Sequence, residues 1–151
     1  MARMKLLNQT KVVFSSRSVN ESFARATLAA FLVQLDPTVP QLADIKTAVS
    51  EAVTNCIVHA YREKEGWVEL VCKTEGNRLH IEISDRGKGI ADVEQAVQPF
   101  FTTLADEERS GMGFTIMQTF MSDFSVKSEA GAGTTVTMRK DFGERTEGNA
   151  G

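Results

Sequence analysis

The chain has 151 residues, of which 42% are hydrophobic and 25% are charged, and its formal net charge is -3. This composition is typical of one globular domain and excludes a wholly disordered chain, while the acidic excess excludes the strong overall positive charge of many nucleic-acid-binding domains. The longest apolar run, Leu28 to Val33, is far shorter than the ~20 residues of a membrane span. The chain shows no signal peptide, and its cysteines, Cys56 and Cys72, are isolated from each other, so we expect a cytoplasmic location.

The first third of the chain predicts a strand and a hydrophobic helix. Lys11 to Ser15 is rich in β-forming residues and predicts the strand. Ser18 and Asn20 are N-cap candidates for a helix that continues to about Leu35. Ten of the sixteen residues from Asn20 onward are apolar, more than a helix with one buried stripe needs. Burial inside the monomer and a homodimer contact are both open explanations.

A second helix is predicted from about Pro40 to about Arg62, because apolar residues repeat there at spacings of three and four. This stripe comprises Leu42, Ile45, Val49, Ala52, Val53, Cys56 and Ala60. Glu51 and Asn55 are one helical turn apart beside the stripe, so they share a face. They are either a solvated helix edge or a proton acceptor next to an amide oxygen that ligates a hard cation such as Mg²⁺.

A β-hairpin is predicted next, with strands over Trp67 to Lys73 and Leu79 to Asp85. The period of two places Asp85 on the apolar, inward face of its strand, where a carboxylate needs hydrogen-bond donors. The alternative is that the strand ends one residue earlier and Asp85 opens a turn. Gly87 and Gly89 follow at once and allow a ligand to approach the backbone closely. The exocyclic amine of adenine would satisfy the Asp85 carboxylate.

The stretch from Arg86 to Gly113 lacks periodicity and predicts a long connection, which is usually functional or mobile. A third helix is predicted from about Phe114 to Met121. Gly111 and Gly113 would then precede its N-terminus, where free backbone N–H groups attract anions. Arg109 would pair with a phosphate there. An ordinary glycine-containing loop is the alternative.

Two more strands, near Phe124 to Ser128 and over Thr134 to Lys140, complete the pattern. Alternation places Thr134 on the inward face of the last strand, so that it reaches the same pocket as Asp85. An ordinary threonine at the start of a strand is the alternative. The element order predicts an α+β fold, a two-layer sandwich with helices on one face of a mixed, mostly antiparallel sheet. We expect a single domain over residues 1–141 and a flexible tail over residues 142–151.

Four motifs, in this order, resemble the boxes of the GHKL superfamily of ATPases. They are Glu51 to Asn55 (EAVTN), Asp85 to Gly89 (DRGKG), Gly111 to Gly113 (GMG) and Gly133-Thr134. The resemblance extends from about Phe14 to Lys140, nearly the whole chain. It implies a Bergerat-type ATP site on an α/β sandwich, with the segment from Arg86 to Gly113 as the nucleotide lid.

Three longer segments are similar to the anti-sigma F factors of spore-forming bacteria. They are Asn20 to Arg25 (NESFAR), Ser50 to Asn55 (SEAVTN) and Glu108 to Phe114 (ERSGMGF). This resemblance implies a protein serine kinase that binds a sporulation sigma factor and phosphorylates its anti-anti-sigma antagonist. His59 to Tyr61 (HAY) is instead similar to the stress-response anti-sigma B kinases, which are one alternative. A nucleotide-gated sigma-binding module without kinase activity is another.

The resemblance also assigns roles to individual residues. Glu51 would be the catalytic residue that orients or deprotonates the attacking serine hydroxyl, and Asn55 would ligate a Mg²⁺ ion that bridges the ATP phosphates. Asp85 would read adenine with support from Thr134. Arg25 would contact a partner protein. The remaining nucleotide-binding residues would be Gly87, Gly89, Arg109, Gly111 and Gly113.

Overall fold

The computed structural model of the protein describes residues 6–61, 64–97 and 105–143, with side chains for 8–61, 64–94, 96–97 and 113–143. No helix in these described parts is long and apolar enough to cross a bilayer. The strands are β1 (Leu6–Ser15), β2 (Trp67–Glu75), β3 (Arg78–Asp85), β4 (Asp123–Glu129) and β5 (Gly133–Asp141). The helices are α1 (Asn20–Leu32), α2 (Val39–Thr54), α3 (Val93–Ala96) and α4 (Ala105–Phe120), with a 3₁₀ turn (Val33–Leu35) after α1 and a π turn (Asn55–Ala60) after α2.

The five strands form one sheet in the order β1-β2-β3-β5-β4, and every neighbouring pair is antiparallel. Alternate residues of β2 and β3 are buried, and they pack against buried residues from α1, α2 and α4. The helices therefore cover one face of the sheet and leave the other face to solvent. The predicted two-layer α+β sandwich is confirmed, and its sheet is antiparallel throughout.

The start of α1 differs from the prediction. Val19 occupies the N-cap position, and no side chain caps this helix. The Asn20 side chain donates instead to the Ser15 carbonyl oxygen at 2.9 Å, which ties the helix to the end of β1. Both predicted caps, Ser18 and Asn20, are therefore wrong, and the Asn20 amide is occupied by its hydrogen bonds to Ser15.

One stripe of α1 is buried in the monomer. Its buried residues are Ala24, Leu28, Phe31 and Leu32. Phe23 is 46% exposed, and Val33, in the following 3₁₀ turn, is 73% exposed. Burial in the monomer therefore accounts for part of the apolar excess of this helix.

Helix α2 begins with a capping box. The Gln41 backbone N–H donates to Thr38 Oγ1 at 3.2 Å, and the Gln41 side chain accepts from the Thr38 backbone N–H at 2.8 Å. Pro40 lies in the first turn, as predicted, and needs no hydrogen-bond donor there. The helix continues as the π turn to Ala60, close to its predicted end, and residue 62 lies outside the described part.

Helix α4 begins at Ala105, nine residues before the predicted start at Phe114. The residues from Ala105 to Arg109 are mostly good helix formers, and the acidic residues near its start favour a helix N-terminus. They offset glycines at 111 and 113, each of which costs about 1 kcal/mol relative to alanine inside a helix. The predicted irregular connection is therefore shorter than expected.

Phe142 begins the segment that was expected to be a free tail. Its ring is partly buried against the core, and its backbone N–H donates to the Asn77 carbonyl oxygen at 2.9 Å. The ordered chain thus continues past β5. Residues 144–151 lie outside the described part.

Candidate nucleotide-binding site

The side chains of Glu51 and Asn55 lie against Gly113, a position of α4 that has no side chain. A Cβ atom added at Gly113 would lie 3.2 Å from Glu51 Oε2 and 3.6 Å from Asn55 Oδ1. The absence of a side chain at Gly113 therefore makes room for the polar edge of α2. The structure brings together two of the four motifs, the first and the third.

Asn55 is the first residue of the π turn, and its Nδ2 atom is buried without a hydrogen-bond partner. A buried amide without a partner is costly, so it points to a missing acceptor such as a phosphate oxygen. The amide also carries an oxygen of the type that Mg²⁺ ligates. No group of three His, Cys, Asp or Glu side chains in the described residues is arranged to hold a metal ion. Asn55 thus offers one oxygen of the kind that Mg²⁺ takes from a protein when phosphates and water fill the rest of its shell.

Asp85 is the last residue of β3 and points inward, as the alternation predicted, with only 8% of its surface exposed. Its Oδ1 atom accepts the Gly87 backbone N–H at 2.9 Å. Burial raises the pKa of its carboxyl, and hydrogen bonds from Gly87, the Cys56 thiol and the Thr134 backbone N–H oppose that rise. The alternative in which the strand ends before Asp85 is therefore wrong.

Cys56 connects the two parts of the site. It follows Asn55 directly in the π turn, and its buried thiol contacts the Asp85 carboxylate. Burial raises the pKa of this thiol, and the nearby Asp85 charge adds to the rise. The Cys56 thiol therefore stays protonated and donates. Because Asn55 and Cys56 are neighbours in the chain, this contact brings the turn that carries Asn55 next to Asp85.

The glycines after Asp85 allow two close backbone contacts. A Cβ atom at Gly87 would collide with the Ala60 carbonyl group, which accepts the Lys88 backbone N–H at 3.0 Å. Gly89 has a φ of 74°, and a Cβ atom there would collide with the Glu129 carbonyl group. The loop after β3 is thus held between the π turn and the β4–β5 connection.

Thr134 pairs with Asp85 across β3 and β5, and its hydroxyl lies 2.7 Å from Ser128 Oγ. Ser128 Oγ also accepts the Ile90 backbone N–H at 2.7 Å and donates to the Gly133 carbonyl oxygen at 3.0 Å. Sequence reasoning missed Ser128. The signal was available, because Ser128 lies two residues after Val126 on the same face of β4.

Comparisons with known proteins identify the family of this chain. Residues 14–140 match the family model described as a histidine kinase-like ATPase domain. The chain is 55% identical over 140 residues to the anti-sigma F factor of Thermoanaerobacter sp. strain X514, covering 93% of this chain and 98% of that protein. It is 51% identical over 139 residues to the anti-sigma F factor of Geobacillus stearothermophilus, covering 91% and 95%. The chain belongs to the anti-sigma F factor family.

Solved structures show the same fold as this anti-sigma F family member. The RsbU and RsbW domains of Rv1364c from Mycobacterium tuberculosis align with a TM-score of 0.65 at 18% identity, covering 89% of this chain and 32% of that one. The catalytic domain of the histidine kinase ThkA aligns with a TM-score of 0.54 at 13% identity, covering 89% and 96%. At these identities the likeness concerns the fold alone.

Gly111 and Gly113 of this family member do not precede a helix. Both lie inside α4, where backbone N–H groups bond to carbonyl groups four residues earlier. The prediction that they present free N–H groups at a helix N-terminus is therefore wrong in this structure. The Arg109 side chain lies outside the described part.

Arg25 lies between α1 and α2 of this anti-sigma F family member. Its guanidinium group donates to Glu21 Oε1 at 2.8 Å, to Ser50 Oγ at 3.1 Å and to Ser22 Oγ at 3.1 Å. One third of its side chain is exposed. Arg25 is thus held in place next to the helix that carries Glu51, unlike a solvated charge.

A cavity of about 610 Å³ opens at the end of the sheet near Asp85. Its lining includes Glu69, Ser84, Lys127 and Thr135, which alternation places on the outward face of the sheet. The cavity therefore lies next to Asp85 on the solvent-exposed face of the sheet. Glu51 and Asn55 are not among the residues that line it.

Proposed function

We propose that this chain is an anti-sigma factor that binds a sporulation sigma factor and uses ATP and Mg²⁺ to phosphorylate a serine of its anti-anti-sigma antagonist. The observation that carries the proposal is the convergence of Glu51, Asn55 and Gly113 on one side and Asp85 on the other, joined through Cys56. The names of relatives at 51–55% identity over nearly their whole length support the partners.

Nucleotide recognition in this proposal rests on Asp85. Its inward carboxylate accepts the exocyclic amine of adenine, and the hydrogen bonds from Gly87 and Thr134 hold it in position. Thr134 pairs with Asp85 across the sheet, and its hydroxyl is held by that of Ser128. Gly87, Gly89 and Arg109 belong to the same proposed binding site, whereas Gly111 and Gly113 lie within α4, where Gly113 leaves room for Glu51.

Phosphoryl transfer in this proposal rests on Glu51 and Asn55. A bound Mg²⁺ would supply charge neutralisation at the phosphates, and Asn55 would hold it from the start of the π turn. Glu51 orients the attacking serine hydroxyl and takes its proton as the new O–P bond forms and the bond to the leaving ADP oxygen breaks. The two side chains lie one helical turn apart and both face Gly113, so the proton acceptor and the metal ligand share one side of the site.

The partner surface in this proposal includes α1. Arg25 is fixed there by its ion pair with Glu21, and Phe23 and Val33 leave apolar surface exposed at other positions of α1 and the turn that follows it. This surface is proposed to serve the sigma factor and a second copy of the chain, in the cytoplasm. A stress-response sigma factor is the alternative ligand, and co-purification with each sigma factor distinguishes the two.

The proposal is tested with labelled ATP, the sigma factor and a serine-bearing antagonist. The wild-type chain is expected to transfer label to the antagonist. Glu51→Gln is expected to keep its ATP affinity and to lose at least 100-fold in transfer rate, because it removes the proton acceptor and leaves the metal ligand. ATP affinity that falls in parallel with the rate contradicts this division of roles. A wild-type chain that binds sigma factor and ATP without transferring label is a binding module instead of a kinase.

A further inference from the structure

Tyr61, the residue after the π turn, makes two hydrogen bonds with backbone groups at the edge of the site. Its hydroxyl donates to the Trp67 carbonyl oxygen at 2.7 Å and accepts the Arg86 backbone N–H at 2.7 Å. Burial raises the pKa of Tyr61, so the hydroxyl keeps the proton that it donates. The single hydroxyl therefore bridges the first residue of β2 and the residue that follows β3.

The register of the sheet shows which direct backbone contact this bridge replaces. In the antiparallel pair of β2 and β3, Glu69 lies opposite Ser84. Continuing the same register would place Trp67 opposite Arg86, two pairs beyond the last pair of the ladder. The Tyr61 hydroxyl thus stands between a donor and an acceptor that would otherwise face each other directly. The chain after Asp85 separates from β2 without leaving either backbone group unpaired.

The surroundings of Tyr61 fix the position of its ring. A Cβ atom added at Gly66 would collide with the ring, so this glycine makes room for it. Gly66 is itself held by Ser16, the residue after β1, through a backbone bond of 2.9 Å and a side-chain bond of 2.9 Å. The Tyr61 ring therefore rests against a glycine that is fixed from outside the loop that the hydroxyl supports.

We infer that Tyr61 is a positioning residue for base selection: its hydroxyl holds the loop from Asp85 to Gly87 apart from β2 and so fixes the carboxylate that reads adenine. This inference rests on the proposed nucleotide site. Removing the hydroxyl lets the Arg86 N–H bond directly to the Trp67 carbonyl, which pulls the Asp85 carboxylate out of line with the base. Contacts to the phosphates, made by other elements, are unaffected.

The test is calorimetric titration of the full chain with MgATP and with MgGTP. Guanine presents a carbonyl where adenine presents its amine, so the wild-type chain is expected to prefer MgATP. Tyr61→Phe is expected to weaken MgATP binding about fivefold, the worth of one hydrogen bond, and to leave MgGTP binding within twofold. Thr47→Val, which removes an exposed hydroxyl bonded to a backbone carbonyl of α2, is the matched control and is expected to change neither.

Gly66→Ala is the second variant, because its methyl group displaces the Tyr61 ring while the hydroxyl stays in the chain. The same loss of ATP preference is expected. Equal weakening of both nucleotides, or an unchanged preference in both variants, overturns the inference and leaves the proposed function standing. A wild-type chain that binds neither nucleotide refutes the proposed function and the inference with it.

Discussion

The two glycine motifs of this chain use the same residue for different purposes. In the loop after β3, Gly89 adopts a positive φ and lies against the Glu129 carbonyl group, so it meets a backbone requirement. In α4, Gly113 is part of a regular helix and leaves room for Glu51, so it meets a side-chain requirement. A GxG pattern therefore indicates that another group approaches the chain closely at the glycines, but it does not show whether that group is backbone or side chain.

The largest effect is expected at Gly89. Gly89→Ala should lower the free energy of unfolding by about 3 kcal/mol or more, because it adds a collision with the Glu129 carbonyl to the strain of a positive φ. Gly131→Ala is the matched control, since Gly131 has a φ of 83° and no atom near its missing Cβ. It should cost only about 1–2 kcal/mol. Equal losses in urea unfolding would show that the close contact at Gly89 is unimportant.

The next effect is expected at Asp85, the residue that opens the same loop. Asp85→Asn should weaken ATP binding at least about 30-fold, because a charged acceptor for the adenine amine is worth about 2 kcal/mol or more. Titration calorimetry measures this, and an undiminished affinity would exclude Asp85 from base recognition.

The Asp85→Asn variant should also change how the free energy of unfolding depends on pH. Burial raises the pKa of Asp85 in the folded chain, so the folded state binds this proton more tightly than the unfolded state. The wild-type chain should therefore lose stability as the pH rises from the usual carboxyl range through the raised pKa of Asp85. Urea unfolding of Asp85→Asn over this interval should show a smaller loss. An identical slope in both chains would contradict the direction of the shift.

The smallest effect is expected at Gly113. Gly113→Ala should leave stability unchanged or raise it by up to about 1 kcal/mol, because alanine favours the helix. Its Cβ atom would press on the Glu51 carboxylate, so transfer to the antagonist should fall about tenfold while ATP affinity changes little. A stability loss as large as that of Gly89→Ala would erase the distinction between the two motifs.

The sequence predicted most of the fold because alternation and helical periodicity are local properties. They placed Asp85 on the inward face of β3 and Glu51 and Asn55 on one helical face, and the structure confirms both placements, although Asn55 lies in the π turn that continues α2. The predicted start of α4 was nine residues too late, because the prediction gave more weight to the glycines at 111 and 113 than to the helix-forming residues before them. In the structure, helix propensity and packing of Phe114 and Met117 in the core determine the outcome.

The contacts that hold the site together could not be predicted from the sequence, because they are single hydrogen bonds between segments that lie far apart along the chain. The Tyr61 hydroxyl reaches Arg86, and Ser128 reaches Ile90, over separations of 25 and 38 residues. No periodicity marks such pairs. The π turn was also missed, because its composition does not differ from that of an ordinary helix end.

The π turn has a consequence for how far this part of the chain tolerates changes in length. Its hydrogen bonds span five residues, as between the Tyr61 N–H and the Cys56 carbonyl oxygen, whereas those of an α-helix span four. A homologue with one residue fewer between Asn55 and Tyr61, closed as ordinary α-helix, would keep the tyrosine at nearly the same angle around the helix axis, because the π turn accommodates one extra residue. The present six positions closed as ordinary α-helix would instead rotate the tyrosine by about 100°, away from Arg86. The extra residue and the π turn that accommodates it therefore have to be gained or lost together.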